Sequence, residues 1–423
     1  MQETNNPGPL ASDARVVIVG AGQAGGWAAR TLRKEGFAGT ITLVGDESWP
    51  PHERPPLSKS VLLGTAEPAS THLFPDADWA ALDIGWMACR CARTLDRQAR
   101  TLVLDDGTSL PWDRLILCTG GRSRTLIPKG MGENCEALRT INDALRLRER
   151  LQSARRLLVI GGGWIGLEVA ATARELGLEV TLVEAGDRLC ARSLPENVST
   201  WLLELHRRQG VRVMLNTAVS SASKQPDGSV DVRLSPALDA GSTLAVDLVV
   251  AGIGMIANDE LASAAGLECA GGIVVDASCR TSDPDIFAAG DVAVSPNSWM
   301  GCSGRLESWQ NAQEQGIAAA LSAMGRAVVH DPIPWFWSDQ FGVNLQIQGV
   351  ICDADQVVTR GAVGTPGDDL RLIHFYLREG RIRGVVGLNA AKDVRASKKL
   401  IATGASPDAA ALADASIPLN KMS

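Results

Sequence analysis

Two hexapeptides in this chain share one pattern: Gly20-Ala21-Gly22-Gln23-Ala24-Gly25 and Gly161-Gly162-Gly163-Trp164-Ile165-Gly166 both follow Gly-x-Gly-x-x-Gly. In such a loop the first glycine permits a tight turn. The second lets the backbone approach a pyrophosphate, and the third lets helix and strand pack closely. The helix that follows turns free N–H groups and a positive dipole end toward the phosphates. A carboxylate closing the next strand then accepts hydrogen bonds from the adenosine ribose. In the second copy that carboxylate is Glu184. A 2′-phosphate would meet like charge there, which predicts NADH over NADPH. Arg188 and Arg192, just downstream, weaken that preference unless they are solvated loop cations. The first copy ends Leu43-Val44-Gly45-Asp46, with glycine in the acidic place. Asp46 is assigned as the ribose partner, the alternative being a solvated loop carboxylate. Glu168, two residues past Gly166, either reaches a nicotinamide amide or is a first-turn helix-surface glutamate.

These loops need strands and helices around them. Arg15 to Val19 is a short apolar run ending at Gly20, as expected of a buried parallel strand. A helix is expected over Ala24 to Glu35 and a strand over Thr40 to Val44, completing a βαβ unit. The order returns as a strand over Arg156 to Ile160, a helix over Ile165 to Leu176 and a strand over Glu179 to Val183. Thr101 to Leu104, Arg114 to Leu117, Asp231 to Leu234 and Asp247 to Ala251 are further strand candidates. Pro332 and Pro334 break the chain before a Trp-rich stretch, Trp335 to Ser338. Beyond it, Asn344 to Gln348, Leu370 to Leu377 and Arg383 to Gly387 suggest antiparallel strands. The expected fold class is α/β: two Rossmann-like dinucleotide-binding domains plus a C-terminal α+β domain. The expected organisation is a loose tail over 1–13, a discontinuous FAD-binding domain over 14–121 and 247–327, an NAD-binding domain over 122–246 and the C-terminal domain over 328–423. The stretch from Gly404 to Ser423, rich in Ala, Ser, Asp and Pro, is expected to be only partly ordered.

Composition narrows the classes. A chain of 423 residues is too long for one core and predicts two or three domains. A net charge of -7 argues against nucleic-acid binding, which needs a basic face. The nine cysteines are odd in number and scattered, unlike a secreted disulfide framework, and Cys89-Arg-Cys91 has no second pair at zinc spacing. They are expected to be reduced thiols, with no metal site. No signal peptide and no apolar run of transmembrane length is evident, so no membrane contact and a cytoplasmic location are expected.

Longer strings carry a resemblance. Thr281-Ser282-Asp283-Pro284-Asp285-Ile286-Phe287-Ala288-Ala289-Gly290-Asp291 resembles the second FAD motif of two-dinucleotide flavoproteins, whose aspartate binds the ribityl chain. The architecture resembles the FAD-dependent pyridine nucleotide-disulfide oxidoreductases. Where disulfide members carry a cysteine pair, this chain has His52-Glu53-Arg54-Pro55-Pro56-Leu57-Ser58-Lys59, without cysteine. Arg54 to Lys59, Cys118-Thr119-Gly120-Gly121-Arg122, Gly162 to Thr172, Ala251 to Gly254, Arg305 to Ala312 and Pro334 to Gln340 resemble the putidaredoxin-reductase-like ferredoxin reductases. Those enzymes serve Rieske-type aromatic-ring dioxygenases and bacterial cytochromes P450. The resemblance runs from about residue 15 to about 400.

That resemblance implies a site, residue by residue. Ala24, Asp46, Arg54, Lys59, Ala92, Thr119, Gly120, Arg139, Asp291 and Trp309 fall on the FAD side, with Gly20, Gly22 and Gly25. Lys59 lies near the flavin N5 and supports the reduced ring's negative charge. Trp309 lies against the isoalloxazine. Gly161, Gly163, Trp164, Ile165, Gly166, Glu168, Glu184, Arg192 and Gly254 fall on the NAD side. The implied activity is NADH:ferredoxin oxidoreduction: a hydride passes from NADH to FAD, then single electrons pass to a small [2Fe-2S] ferredoxin feeding a Rieske-type dioxygenase of aromatic hydrocarbon catabolism. The oxygenase is met only indirectly. Alternatives are a P450 ferredoxin or rubredoxin as acceptor, an NADH oxidase or peroxidase, and an apoptosis-inducing-factor-like binding protein. The oxidase and peroxidase commonly use a cysteine near position 50, absent here. Trp335 and Trp337 either help dock the ferredoxin or pack a core. Ile256-Ala257-Asn258, where many relatives have proline before the asparagine, is expected to matter little.

Overall fold

The structure is a computed structural model, and it describes residues 8, 10–124, 135–235, 243–362 and 370–422. Most of the expected 1–13 tail lies outside the described residues. The chain divides into two compact units: Met1–Glu53, Pro68–Arg122 and Ile256–Pro332 form one, and Arg54–Glu67, Ser123–Met255 and Ile333–Ser423 form the other.

Unit one is built on a parallel five-stranded sheet. Its order is Ile286–Ala288, Arg114–Leu117, Arg15–Val19, Thr40–Val44, Gly85–Met87. Covered on both faces, the central strand is a continuous apolar run: Val16, Val17, Ile18 and Val19 are all buried. Each such side chain contributes about 1.5–3 kcal/mol on leaving water. The Gln23–Lys34 helix packs against the Trp309–Ala323 helix so tightly that a Cβ on Gly316 would lie 2.4 Å from the Ala24 carbonyl oxygen. A separate antiparallel sheet, Ala92–Asp96, Thr101–Leu104 and Ser109–Pro111, carries Ala92.

Unit two repeats the plan. Its parallel sheet runs Arg212–Met214, Glu179–Val183, Arg156–Ile160, Leu248–Ala251, Cys135–Glu136. A second sheet is antiparallel, in the order Trp335–Gln340, Val343–Gly349, Arg381–Leu388, Arg371–Arg378, Gln356–Ala362. The Ala391–Thr403 helix covers one face of it, with Val394, Leu400 and Ile401 buried. The fold is therefore α/β, with two Rossmann-like domains and a C-terminal α+β domain.

Two expectations need correction. Both fingerprint helices begin one residue early, at Gln23 and Trp164, because the second glycine of each loop is itself the N-cap. Residues 404–422 pack against the C-terminal sheet. They form the Ala409–Ala413 helix and a Leu419–Lys421 turn, burying Leu412 and Leu419. The cause is Arg360, a buried guanidinium that donates to the carbonyls of Leu412, Ala415 and Ile417 at 3.4, 3.2 and 2.7 Å.

Candidate functional site

In unit one, Gly20 has φ +107, and a Cβ there would lie 2.0 Å from the Cys118 carbonyl oxygen. Only glycine can take that conformation in that space. Gly25 seats the helix: its Cβ would stand 1.9 Å from the Gly20 carbonyl oxygen. Gly22 caps the helix with no side-chain hydrogen bond, so the first-turn N–H groups are left to a ligand. The Ile141–Ser153 and Trp309–Ala323 helices, by contrast, are capped by side chains. Thr140 makes a capping box with Asp143, and Ser308 accepts from Asn311 N. Asp46 is exposed, one residue past the Thr40–Val44 strand. Gly290 N donates to the buried Gln315 Oε1 at 2.9 Å, and Arg305 donates to the Asp291 carbonyl at 3.0 Å, fixing the Gly-Asp turn from both sides. Trp309, half-buried, donates its indole N–H to Glu53 Oε1 at 3.2 Å. Thr119 Oγ1 donates to the Asn258 carbonyl at 2.6 Å, while Asn258 returns N–H bonds to Thr119 O and Gly120 O at 3.0 Å each.

Unit two brings its expected residues closer together. Gly163 again caps without a side chain, and its own Cβ position meets nothing nearer than 3.8 Å. Glu184 accepts from Gly162 N at 2.6 Å through one oxygen and from Gly186 N at 2.7 Å through the other. Arg188 is occupied with its own loop, donating to Leu194 O at 2.5 Å and Ala191 O at 2.8 Å. Arg192 is exposed beside Gly254, whose Cβ position lies 3.5 Å from its guanidinium. Trp164 hydrogen-bonds Ser193 Oγ at 3.2 Å and packs on Phe336 at 4.8 Å, while Ile165 is exposed. Arg54 donates to the Arg139 carbonyl at 2.5 Å.

The tightest assembly is at Glu168. It is a buried residue, not a surface one. Its Oε1 lies 2.9 Å from Lys59 Nζ and accepts from Ser338 Oγ at 2.6 Å; its Oε2 accepts from Ser58 Oγ. Thr172 Oγ1 donates to the Ser58 carbonyl at 2.8 Å, tying the Pro55–Ser58 turn to the same helix. A buried carboxylate is sustained by an ammonium and hydroxyl donors together.

Several residues of the site carry no signal in the sequence. Ser58, Ser338 and Gln340 lie inside strings that carry the resemblance, yet short hydroxyl and amide side chains do not point to a distant glutamate. Glu53 and Gln315 are equally silent. Trp335 and Trp337 alternate onto one face of their strand and stack at 4.9 Å, each half-buried rather than in the core. All nine cysteines are free thiols, and burial pushes Cys118 up to about 12. Among the described residues no His, Cys, Asp and Glu group suits a metal ion, and no helix is long and apolar enough to cross a membrane.

This geometry defines a two-dinucleotide flavoprotein. The chain belongs to the pyridine nucleotide-disulphide oxidoreductase family, which it matches over residues 14–316, and residues 335–423 match the family described as Reductase C-terminal. It is an FAD-containing NAD(P)H oxidoreductase that binds FAD and NAD(H). Among solved structures it is similar to the ferredoxin reductase for the CYP199A2 system from Rhodopseudomonas palustris. Identity is 37% and TM-score 0.90, over 97% of this chain and 99% of that one. It is equally similar to a chain of the covalent putidaredoxin reductase–putidaredoxin complex, at 37% identity and TM-score 0.90, over 97% and 98%. The water-forming NADH oxidase from Lactobacillus brevis shares the fold at 20% identity and TM-score 0.85, over 96% and 95%.

The residues present suit these groups. Two helix N-termini without side-chain caps, each behind a loop whose first and last glycines leave no room for a Cβ, offer N–H donors to two pyrophosphates. Glu184, just past the Glu179–Val183 strand, is anchored by two backbone N–H groups.

Proposed function

We propose that this chain is a cytoplasmic NADH:ferredoxin oxidoreductase. The observation that carries the reading is the Lys59–Glu168 pair, held on a Pro-Pro-Leu-Ser turn where a thiol relay would need cysteine. FAD supplies the conversion between a two-electron hydride and single electrons. The chain's residues position the reactants. Glu184 holds the adenosine ribose and disfavours a 2′-phosphate, and Arg188, engaged with its own loop, leaves that preference intact. Glu168 accepts a hydrogen bond from the nicotinamide carboxamide. Lys59, paired with Glu168, keeps positive charge at the reaction centre. Asp46, Asp291, Arg54, Arg139, Ala92, Thr119, Gly120 and Trp309 serve the flavin.

The acceptor in this reading is a small [2Fe-2S] ferredoxin, and the stacked, half-buried Trp335 and Trp337 are candidates for its docking surface. A Rieske-type aromatic-ring dioxygenase is the proposed destination of the electrons. The 37% identity to the reductase of the CYP199A2 system favours a second destination, a cytochrome P450, with the same chemistry at this chain. Stopped-flow absorbance tests the reading. NADH should bleach the flavin, and rapid reoxidation should require a [2Fe-2S] ferredoxin. Equally fast reoxidation by oxygen alone would make the chain an oxidase, and protein without bound flavin would end the reading.

A further inference from the structure

A chain of hydrogen bonds leaves Glu168 on the side away from Lys59. Ser338 Oγ, which donates to Glu168 Oε1, lies 2.9 Å from Gln340 Nε2. Gln340 Oε1 lies 2.7 Å from His206 Nε2 on the Glu196–Arg208 helix. Ser338, Gln340 and His206 are all buried, His206 completely, with the ring of Phe341 edge-on at 5.1 Å.

Chemistry fixes the direction of this chain. An ionised carboxylate only accepts, so Ser338 must donate to it. The Ser338 oxygen is then the acceptor for the Gln340 amide N–H, which turns the Gln340 oxygen toward His206. An amide oxygen cannot donate, so His206 Nε2 must carry the hydrogen. Burial pushes His206 down to about 4, against the opposing pull of its Gln340 bond, so the ring is neutral at physiological pH. Its single N–H is committed to Gln340, and Nδ1 has no partner among the described residues. Every donor therefore points at Glu168.

The carboxylate's own valences show what this direction achieves. Lys59 and Ser338 fill the two acceptor positions of Oε1, and Ser58 fills one on Oε2. One acceptor position of Oε2 is left. We propose that His206 is a positioning residue for NADH: through Gln340 and Ser338 it locks the Glu168 carboxylate so that this last position receives the nicotinamide carboxamide N–H. The inference rests on the reading that Glu168 meets the carboxamide. Without the His206 donor, Gln340 can flip. Its oxygen then faces Ser338, the hydroxyl turns from Glu168 to the amide, and the carboxylate loses one of its three fixed donors.

The test compares NADH with reduced 3-acetylpyridine adenine dinucleotide, in which an acetyl group replaces the carboxamide and no N–H remains. Kd and the limiting rate of flavin reduction are measured on the holoenzyme by anaerobic stopped flow, and ADP-ribose binding is measured by titration. The wild type should prefer NADH. His206→Leu and Ser338→Ala should each cut that preference about tenfold, the worth of one hydrogen bond to a charged group, with ADP-ribose affinity unchanged. His206→Gln, which returns an N–H near the same place, should restore it. Full preference in His206→Leu and Ser338→Ala overturns the proposal, as does an equal loss of ADP-ribose affinity. A wild type indifferent to the two dinucleotides overturns the Glu168 reading itself. If His206→Leu fails to fold, Ser338→Ala, which removes one oxygen, decides.

Discussion

The two βαβ units are built on one scheme and differ at one point of contact. In each, the central strand pairs residue for residue with its neighbour, Val19 with Val44 and Ile160 with Val183. In each, the first loop glycine donates to the last residue of that neighbour at 2.8 Å, Gly20 to Val44 and Gly161 to Val183. The next residue is Gly45 in one unit and Glu184 in the other. A Cβ on Gly45 would lie 2.5 Å from the Ala21 methyl, and a Cβ on Gly162 would lie 3.2 Å from Glu184 Cβ. The loop's second residue and the residue closing the strand compete for one volume. Where the loop has a methyl the strand ends in glycine and the acid moves on to Asp46. Where the loop has glycine, the acid occupies the space and binds the loop's own N–H. The position of the acid is thus coupled to the loop.

The largest expected effect separates the units. In Gly20→Ala the new Cβ meets backbone 2.0 Å away at φ +107, which no side-chain movement relieves. The variant should purify with little flavin, read from the ratio of flavin to protein absorbance. Gly161→Ala, 2.5 Å from the Gly252 carbonyl oxygen at φ +103, should keep its flavin while reduction by NADH slows about a hundredfold, or about 2.7 kcal/mol. Flavin loss in both variants would break the independence of the two sites.

Glu184 comes next. Glu184→Ala removes the acceptor of Gly162 N and Gly186 N as well as the proposed ribose contact. NADH Kd should rise about 10–100-fold, and the preference over NADPH should shrink. Gly162→Ala alone should cost about tenfold, because its Cβ would press on Leu189 Cδ2 at 2.6 Å as well as on Glu184. The double variant Gly162→Ala with Glu184→Gly copies the first unit. Its loss in Kd should be smaller than the losses of Gly162→Ala and Glu184→Gly combined, because the contact with Glu184 is gone and only the Leu189 side chain is left to give way. Additive losses would mean that the shared volume does not govern the pair. Asp46→Asn, at an exposed position, should weaken FAD by less than about tenfold.

The parts visible in sequence are those whose physics is local. Buried parallel strands appear as apolar runs, so Arg15 to Val19 and Glu179 to Val183 are legible to the residue, and each glycine loop marks its own turn. Helix starts slip by one because Gly22 and Gly163 cap without the usual Ser, Thr, Asp or Asn signal. Contacts made across long separations leave no local trace. Nothing around Ser338 points to Glu168, and nothing near Arg360 foretells that it holds the carbonyls of Leu412, Ala415 and Ile417. The Gln356–Ala362 strand is hidden for a related reason: Arg360 is buried within it because its donors are taken up by tail carbonyls. The role of Gly45 needs the packing of Ala21 against it.

The smallest effect tests how far the likeness of the units reaches beyond their ligands. Arg15 opens the central strand of unit one and takes Asp113 through its backbone N–H at 2.7 Å and its guanidinium at 2.9 Å. Arg156 does the same with Asp247, at 2.9 and 2.6 Å. Both aspartates stand just before the strand that pairs on the far side, Arg114–Leu117 and Leu248–Ala251. The Arg15 guanidinium's hydrogen bonds hold Asp113 down at about 2, and Arg156 lowers Asp247 in the same way. A carboxyl lowered by folding stabilises the protein above its unfolded value, about 3.9. For Asp113 that contribution fades as pH falls from about 4 through about 2. Both pairs are partly solvated, so each is screened. Asp113→Asn and Asp247→Asn should each lower Tm by no more than about 2–4 °C at about pH 6. The gap from wild type should narrow by about pH 3, without change in flavin content or NADH affinity. If one variant alone loses its cofactor, that clasp supports the ligand loop and the likeness between the units ends at the strands.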